Sequence, residues 1–250
     1  MADRITVSTH NISKSFGHVL ALKDVSVAFR PGTITGLVGD NGAGKSSLVK
    51  CLTGVLTPDK GYIKIGAEEY TSMDPRKAIE LGISAVYQDL SLVDSLGISE
   101  NIFLGRELRK HRFFLDKKGM DEQSSLILKE LGIAMPSMET RTSKLSGGQR
   151  QAVAVARAVA MGGRILIFDE PTAAMGIFES NRILSLIRSL GDRGFTVIVI
   201  SHNLNHLFSI SDRICVLRHG EFVGEYSTAG SSSDDIVRCI TGFSEGSTGR

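Results

Sequence analysis

Cysteine is scarce: three in 250 residues, Cys51, Cys215 and Cys239, in neither a metal-ligand nor a C-x-x-C spacing. That excludes a cysteine-based metal module and suits a reducing cytoplasm. Long apolar runs are also missing. Stretches such as Ile165-Leu166-Ile167-Phe168 and Val197-Ile198-Val199-Ile200 fall far short of the roughly 20 residues that span a bilayer, so the chain is not expected to cross a membrane itself. The start, Met1-Ala2-Asp3-Arg4-Ile5, has no apolar core of signal-peptide length. Charge of one sign is lacking too: a formal net charge of +2 is too small for a nucleic-acid-binding surface, and no nucleic-acid partner is expected. What remains is ordinary globular composition, 42% hydrophobic and 22% charged, in a chain long enough to bury a large core without an outside staple.

The order of apolar periods sets the fold class. Residues 5–7 and 20–29 alternate as strands on either side of the turn-rich Ser15-Phe16-Gly17-His18, which predicts an antiparallel edge sheet. After a strand at 34–38 and a helix at 45–54 come a strand at 62–65, a helix at 74–81 with Pro75 in its first turn, and a strand at 83–87. Residues 90–143 carry no strong strand signal; helical stretches at 98–104 and 120–131 flank a charged segment at 106–118, and the stretch of about 90–145 is expected to be an inserted helical subdomain. From Ser146 onward helix, strand, helix, strand, helix and strand follow at 146–160, 165–168, 178–190, 196–200, 204–210 and 214–217. That is βαβ alternation, hence an α/β domain over residues 1–240 with a mostly parallel sheet covered on both faces, and a frayed tail at 241–250.

The chemistry starts at Gly39-Asp40-Asn41-Gly42-Ala43-Gly44-Lys45-Ser46, followed by Ser47. It fits G-x-x-x-x-G-K-[ST] and lies between the apolar strand Ile34-Thr35-Gly36-Leu37-Val38 and a helix. Glycines let consecutive backbone N–H groups converge on one point, and the helix start adds partial positive charge there. An anion is expected in this cradle, with Lys45 on the β- and γ-phosphates of a nucleotide and the Ser46 hydroxyl on Mg²⁺. A second clue is Asp169-Glu170 at the end of an apolar strand, where open α/β sheets place ligand chemistry. Asp169 is expected to hold Mg²⁺ and Glu170 to polarise the water that attacks the γ-phosphate. The third is Leu145-Ser146-Gly147-Gly148-Gln149, a serine-capped helix start with two glycines and a further backbone donor array far along the chain.

The ordered set of residues 39–46, Gln88, 145–149, 165–170 and His202 resembles the ATP-binding subunit of an ABC transporter, over nearly the whole chain. The resemblance implies a P-loop ATPase core, ATP and Mg²⁺ as ligands, Gln88 on Mg²⁺ and the attacking water, and His202 on the γ-phosphate. It implies further that Phe16 stacks on adenine and that Ser146, Gly147, Gly148 and Gln149 act on a partner's nucleotide. The partners implied are membrane permease subunits, a second ATPase chain that is a copy or a sister, and, indirectly, a periplasmic or extracellular solute-binding protein. The location implied is the cytoplasmic face of the cell membrane. The segments Glu100-Asn101-Ile102-Phe103-Leu104-Gly105-Arg106-Glu107 and 147–158 are similar to those of bacterial monosaccharide importers. One departure is plain: Pro171-Thr172-Ala173-Ala174-Met175-Gly176 carries Gly176 where the family's S-A-L-D pattern has an aspartate. Two other classes fit the same motifs, a soluble ABC ATPase without a permease and a non-catalytic ATP-switched module; the near-neutral charge argues against the first and the intact Glu170 and His202 against the second.

Overall fold

The computed structural model describes residues 6–110, 114–173 and 175–242. In chain order it holds β1 (Val7–Phe16), β2 (Val19–Phe29), β3 (Ile34–Val38), α1 (Lys45–Leu52), β4 (Lys60–Ile65), β5 (Glu68–Tyr70), α2 (Pro75–Glu80) and β6 (Ile83–Val86). Next come α3 (Ile98–Ile102), the two-residue strands β7 (Arg109–Lys110) and β8 (Phe114–Leu115), α4 (Lys117–Glu130) and a 3-10 turn at Thr142–Lys144. The last part is α5 (Gly147–Ala160), β9 (Ile165–Asp169), α6 (Ile177–Asp192), β10 (Thr196–Ile200), α7 (Leu204–Ile210), β11 (Arg213–Arg218), β12 (Glu221–Ser227) and α8 (Ser233–Thr241).

The central sheet runs β12-β11-β3-β10-β9-β6, parallel throughout except for the antiparallel edge strand β12. Because side chains alternate along a strand, each apolar run feeds two cores. Val38, Phe168, Val199 and Val216 face one side, which α3 to α8 cover with residues such as Ile102, Leu128, Val155, Ile187, Leu207 and Ile236. Leu37, Ile167, Ile198 and Cys215 face the other, where they meet Leu48 and Leu52 of α1 and the antiparallel sheet β2-β1-β4-β5, through Ile12, Val25, Phe29 and Ile63. The glycine loop therefore emerges between two different layers.

Several expectations shift in detail. Strand β1 runs on through Ser15 and Phe16, because pairing with β2 continues to Phe16 opposite Val19 and the turn needs only Gly17 and His18. The strand at Lys60–Ile65 joins the antiparallel sheet rather than the parallel one. The charged segment after α3 contains the short β7–β8 pair, and β12 and α8 follow the last strand expected from sequence. Ile5 and residues 243–250 of the expected tail lie outside the described residues.

Between β6 and α3 the chain is irregular, and one buried side chain of α3 organises it. Asn101 is fully buried; its Oδ1 accepts from the N–H of Val93 at 2.8 Å, and its Nδ2 donates to the carbonyls of Val93 at 3.1 Å and Gly97 at 3.0 Å. Removing the amide strands those groups in a dry site, at about 1–3 kcal/mol each for any that finds no water. Asn101→Ala is therefore expected to lose about 2 kcal/mol or more of unfolding free energy in denaturant titration; a loss under about 0.5 kcal/mol would show that the loop does not depend on it.

Candidate functional site

The register of the central sheet decides where the loops converge. Leu37 pairs with Ile200, Ile200 with Asp169 and Val86 with Phe168, so the C-terminal ends of β3, β10, β9 and β6 share one edge. Their following residues open into a cleft of about 760 Å³. The cradle (Gly39, Asn41, Gly42, Ala43, Gly44, Lys45, Ser46 and Ser47) forms one wall, and Gln88, Asp169, Glu170 and His202 form another. Phe16, half-exposed at the tip of the β1–β2 hairpin, closes a third side with Val19, Leu20 and Ala21. Of the residues expected at the phosphate loop, only Asp40 does not line the cleft; it contributes its carbonyl to the loop's internal bonding.

Two positions of the cradle have no room for a side chain. Gly39 has φ +151°, and a Cβ there would lie 2.1 Å from the Leu217 carbonyl oxygen; Gly44 has φ +100°, and its Cβ would lie 2.6 Å from the Ala21 carbonyl oxygen. With Gly44 as its first flanking residue, α1 starts with no side-chain cap. Its first residues, Lys45, Ser46 and Ser47, line the cleft, and a helix start has N–H groups without helical partners, an arrangement that suits an anion. The Lys45 ammonium donates to the carbonyls of Gly39 at 2.6 Å and Asp40 at 2.9 Å, so it folds the loop back over itself. Burial holds its pKa below the ordinary lysine value, against the pull of Glu170, Asp40 and Asp169.

The carboxylates opposite are held differently. Half-burial, and then the neighbouring Glu170 charge, push Asp169 above the usual carboxylate range, a position that an added cation would relieve. Glu170 has φ +49°, in the left-handed region where a side-chain-bearing residue costs on the order of 1–3 kcal/mol. Its N–H donates to Ile200 O at 2.9 Å; its Oε1 accepts from the His202 N–H at 3.0 Å, and its Oε2 lies 3.0 Å from His202 Nδ1 and accepts from the Ser201 hydroxyl at 3.3 Å. These contacts aim the carboxylate into the cleft. Ser201 is a participant that sequence reasoning missed; its signal is its place beside His202 at a strand end.

The donor set fits the expected ligands. Ser46, Gln88 and Asp169 each bring a hard oxygen to the cleft. That suits Mg²⁺, which takes one or two protein oxygens and completes its shell with phosphate and water.

Ser146 to Gln149 lie elsewhere and do not line this cleft. Ser146 Oγ accepts from the Gln149 N–H at 3.4 Å and Gln149 Oε1 from the Ser146 N–H at 3.0 Å, a reciprocal cap at the start of α5. The fold does not require the glycines between them: a Cβ on Gly148 meets nothing within 4 Å, and one on Gly147 meets only Met175 at 3.9 Å. Glycine costs a helix up to about 1 kcal/mol relative to alanine, so this helix start keeps open a surface that its own packing leaves unused. Gly176 is equally open and begins α6 without a side-chain cap, next to the strongly exposed Ile177 and Phe178.

Comparison with known proteins places this geometry. The family model described as "ABC transporter" matches residues 22–173. The chain is 40% identical over 252 aligned positions to the fructose import ATP-binding protein FrcA of Rhizobium meliloti, covering 98% of this chain and 97% of that one. To the xylose/arabinose import ATP-binding protein XylG of Sulfolobus acidocaldarius it is 39% identical, covering 98% and 97%. Among solved structures, a nucleotide-free ATP-binding cassette from an ABC transporter superposes with TM-score 0.81 at 25% identity over 95% of both chains. A dimeric ATP-binding cassette in a post-hydrolysis state bound to ADP and Pi superposes with TM-score 0.74 at 26% identity, covering 90% of this chain and all 100% of that one. With its glycine cradle, paired carboxylates and capped α5 in one ordered set, the chain belongs to the ABC transporter family, as an ATP-binding subunit.

Proposed function

We propose that the chain hydrolyses ATP on the cytoplasmic face of the cell membrane to drive import of a monosaccharide through separate permease subunits, which a solute-binding protein outside the membrane supplies. The observation that carries this reading is the convergence of cradle, Lys45, carboxylate pair and His202 in one cleft, with the α5 donor array outside it. Fructose and xylose/arabinose import by the two full-length relatives supports a monosaccharide as the solute. No helix among the described residues is long and apolar enough to cross a membrane.

In this reading the cradle amides and Lys45 neutralise the β- and γ-phosphates, and Phe16 stacks on adenine. Ser46, Gln88 and Asp169 hold Mg²⁺, which draws charge from the phosphate oxygens when bound. Glu170 orients the attacking water and takes up its proton as the bond between the γ-phosphorus and the ADP oxygen breaks. His202 steadies Glu170 through its N–H and imidazole and reaches the γ-phosphate from its exposed position. The glycines of α5 close on the nucleotide of a facing chain, which makes two composite sites in a head-to-tail pair. Gly176 leaves that seam without a side chain at the family's aspartate position.

Phe16→Ala is expected to weaken ATP by about 1–3 kcal/mol, with Phe16→Tyr close to the parent. Equal ATP affinity in calorimetry for parent and Phe16→Ala would reduce Phe16 to a packing residue. Glu170→Gln keeps side-chain size but removes the charge that orients the water, so this variant should bind ATP without cleaving it and elute as a dimer in ATP and a monomer in ADP. Monomers in both nucleotides, at concentrations well above the ATP affinity, would sink the composite-site reading.

A further inference from the structure

Arg157 lies on α5, three turns beyond the Ser146 cap, and no ion pair among the described residues includes it. Instead Nη2 donates to the carbonyl of Leu90 at 2.5 Å and Nη1 to that of Ser91 at 3.0 Å. Burial without a counter-charge lowers its pKa, so the protein bears a desolvation cost to keep a cation here. The two carbonyls belong to the irregular segment that begins at Gln88, and Ser91 stands in the left-handed region with φ +48°, its N–H satisfied by Asp89 Oδ1 at 2.9 Å.

A second arginine on the same side of the helix repeats the pattern. Arg150, seven residues or about 10 Å earlier along α5, donates to Asp94 Oδ1 at 2.6 Å and to the Thr142 carbonyl at 3.0 Å. Asn101 then holds Val93 and Gly97 from α3. The segment from Gln88 to Gly97 is thus fastened to the helical layer at three places, whereas Tyr87, whose hydroxyl meets Thr53 Oγ1 at 3.3 Å, ties its beginning to the region of α1. Gln88 sits at the junction between the two attachments, and the nearest tie on the helical side is Arg157.

We propose that Arg157 is a positioning residue for ATP hydrolysis: its paired hydrogen bonds to the carbonyls of Leu90 and Ser91 anchor the loop that leads from Gln88, and so hold Gln88 in the cleft. The inference rests on the proposed role of Gln88. A planar guanidinium can span two successive carbonyls; an ammonium can reach them only as a single point of charge. Displacing a positioned group by about 1 Å costs up to about a hundredfold in rate, which sets the scale expected.

The test is a double-mutant cycle in the full chain: Arg157→Met, which keeps the stem and removes the donors, Arg157→Lys, Gln88→Ala and the combination, followed by ATPase kinetics and by hydrogen exchange without nucleotide or metal. Arg157→Met should lower kcat by about tenfold to a hundredfold with KM for ATP within about twofold, and Arg157→Lys should fall between it and the parent. Arg157→Met combined with Gln88→Ala should be no slower than Gln88→Ala alone. Exchange should rise in residues 87–92 and stay unchanged in α1. A parental kcat, losses that multiply in the combination, or exchange that rises evenly over the whole chain would each overturn the proposal; should Arg157→Met not fold, the same cycle with Arg157→Lys decides. Gln88→Ala at the parental rate would instead remove the reading of Gln88 itself, and the inference with it.

Discussion

A loop with no room for a side chain at Gly39 or Gly44 is pressed between three elements, and the rest of the molecule is arranged to hold it there. Gly39 packs against the Leu217 carbonyl of β11, Gly44 against the Ala21 carbonyl of β2, and the Ala43 carbonyl accepts from the N–H of Gly220 in the β11–β12 turn at 3.2 Å. The Gly220 carbonyl in turn accepts from Lys23 of β2 at 2.8 Å. Backbone contacts of this kind leave little freedom in any of the three pieces. The antiparallel sheet that carries Phe16 is thereby placed relative to the uncapped start of α1, and the two are locked together through one turn.

The alternating burial of the central strands has a second consequence. With α1 and the antiparallel sheet on one face and α3 to α8 on the other, the cleft gathers residues from strand ends and the hairpin, while the α5 cap is left facing outward. Of the two donor arrays in the chain, only one lines the cleft. The open glycines at 147 and 148 make sense as a surface waiting for another chain, and the arginines of α5 give that surface a mechanical path back to Gln88.

Much of this was legible in the sequence wherever the signal is local. The glycine loop, the apolar strand before Asp169-Glu170 and the run from Thr196 to Ile200 report themselves because backbone conformation or double-sided burial demands particular residues there. Strand β12 was missed because an edge strand is only half buried: Glu221–Ser227 mixes charges, a glycine and aromatics and shows no clean period. Helix α8 was missed too, although Ser232 and Asp235 cap it in a pattern that sequence reading could have caught. The left-handed Glu170, the hydroxyl of Ser201 and the grip of Arg157 on a loop 66 and 67 residues away depend on tertiary contacts alone, and no spacing announces them.

The central claim is that each nucleotide is held by the glycine cradle of one chain and the α5 array of another. It can be tested by mixing two inactive variants, Lys45→Ala, which spoils only the cradle, and Gly148→Asp, which spoils only the array, and measuring ATP turnover. A mixed pair has one site in which both halves are intact, so the account predicts that turnover returns on mixing although each variant alone is inactive. If cradle and array served the same nucleotide within one chain, every site in the mixture would keep one defect, and turnover no greater than that of the separate variants would contradict the account.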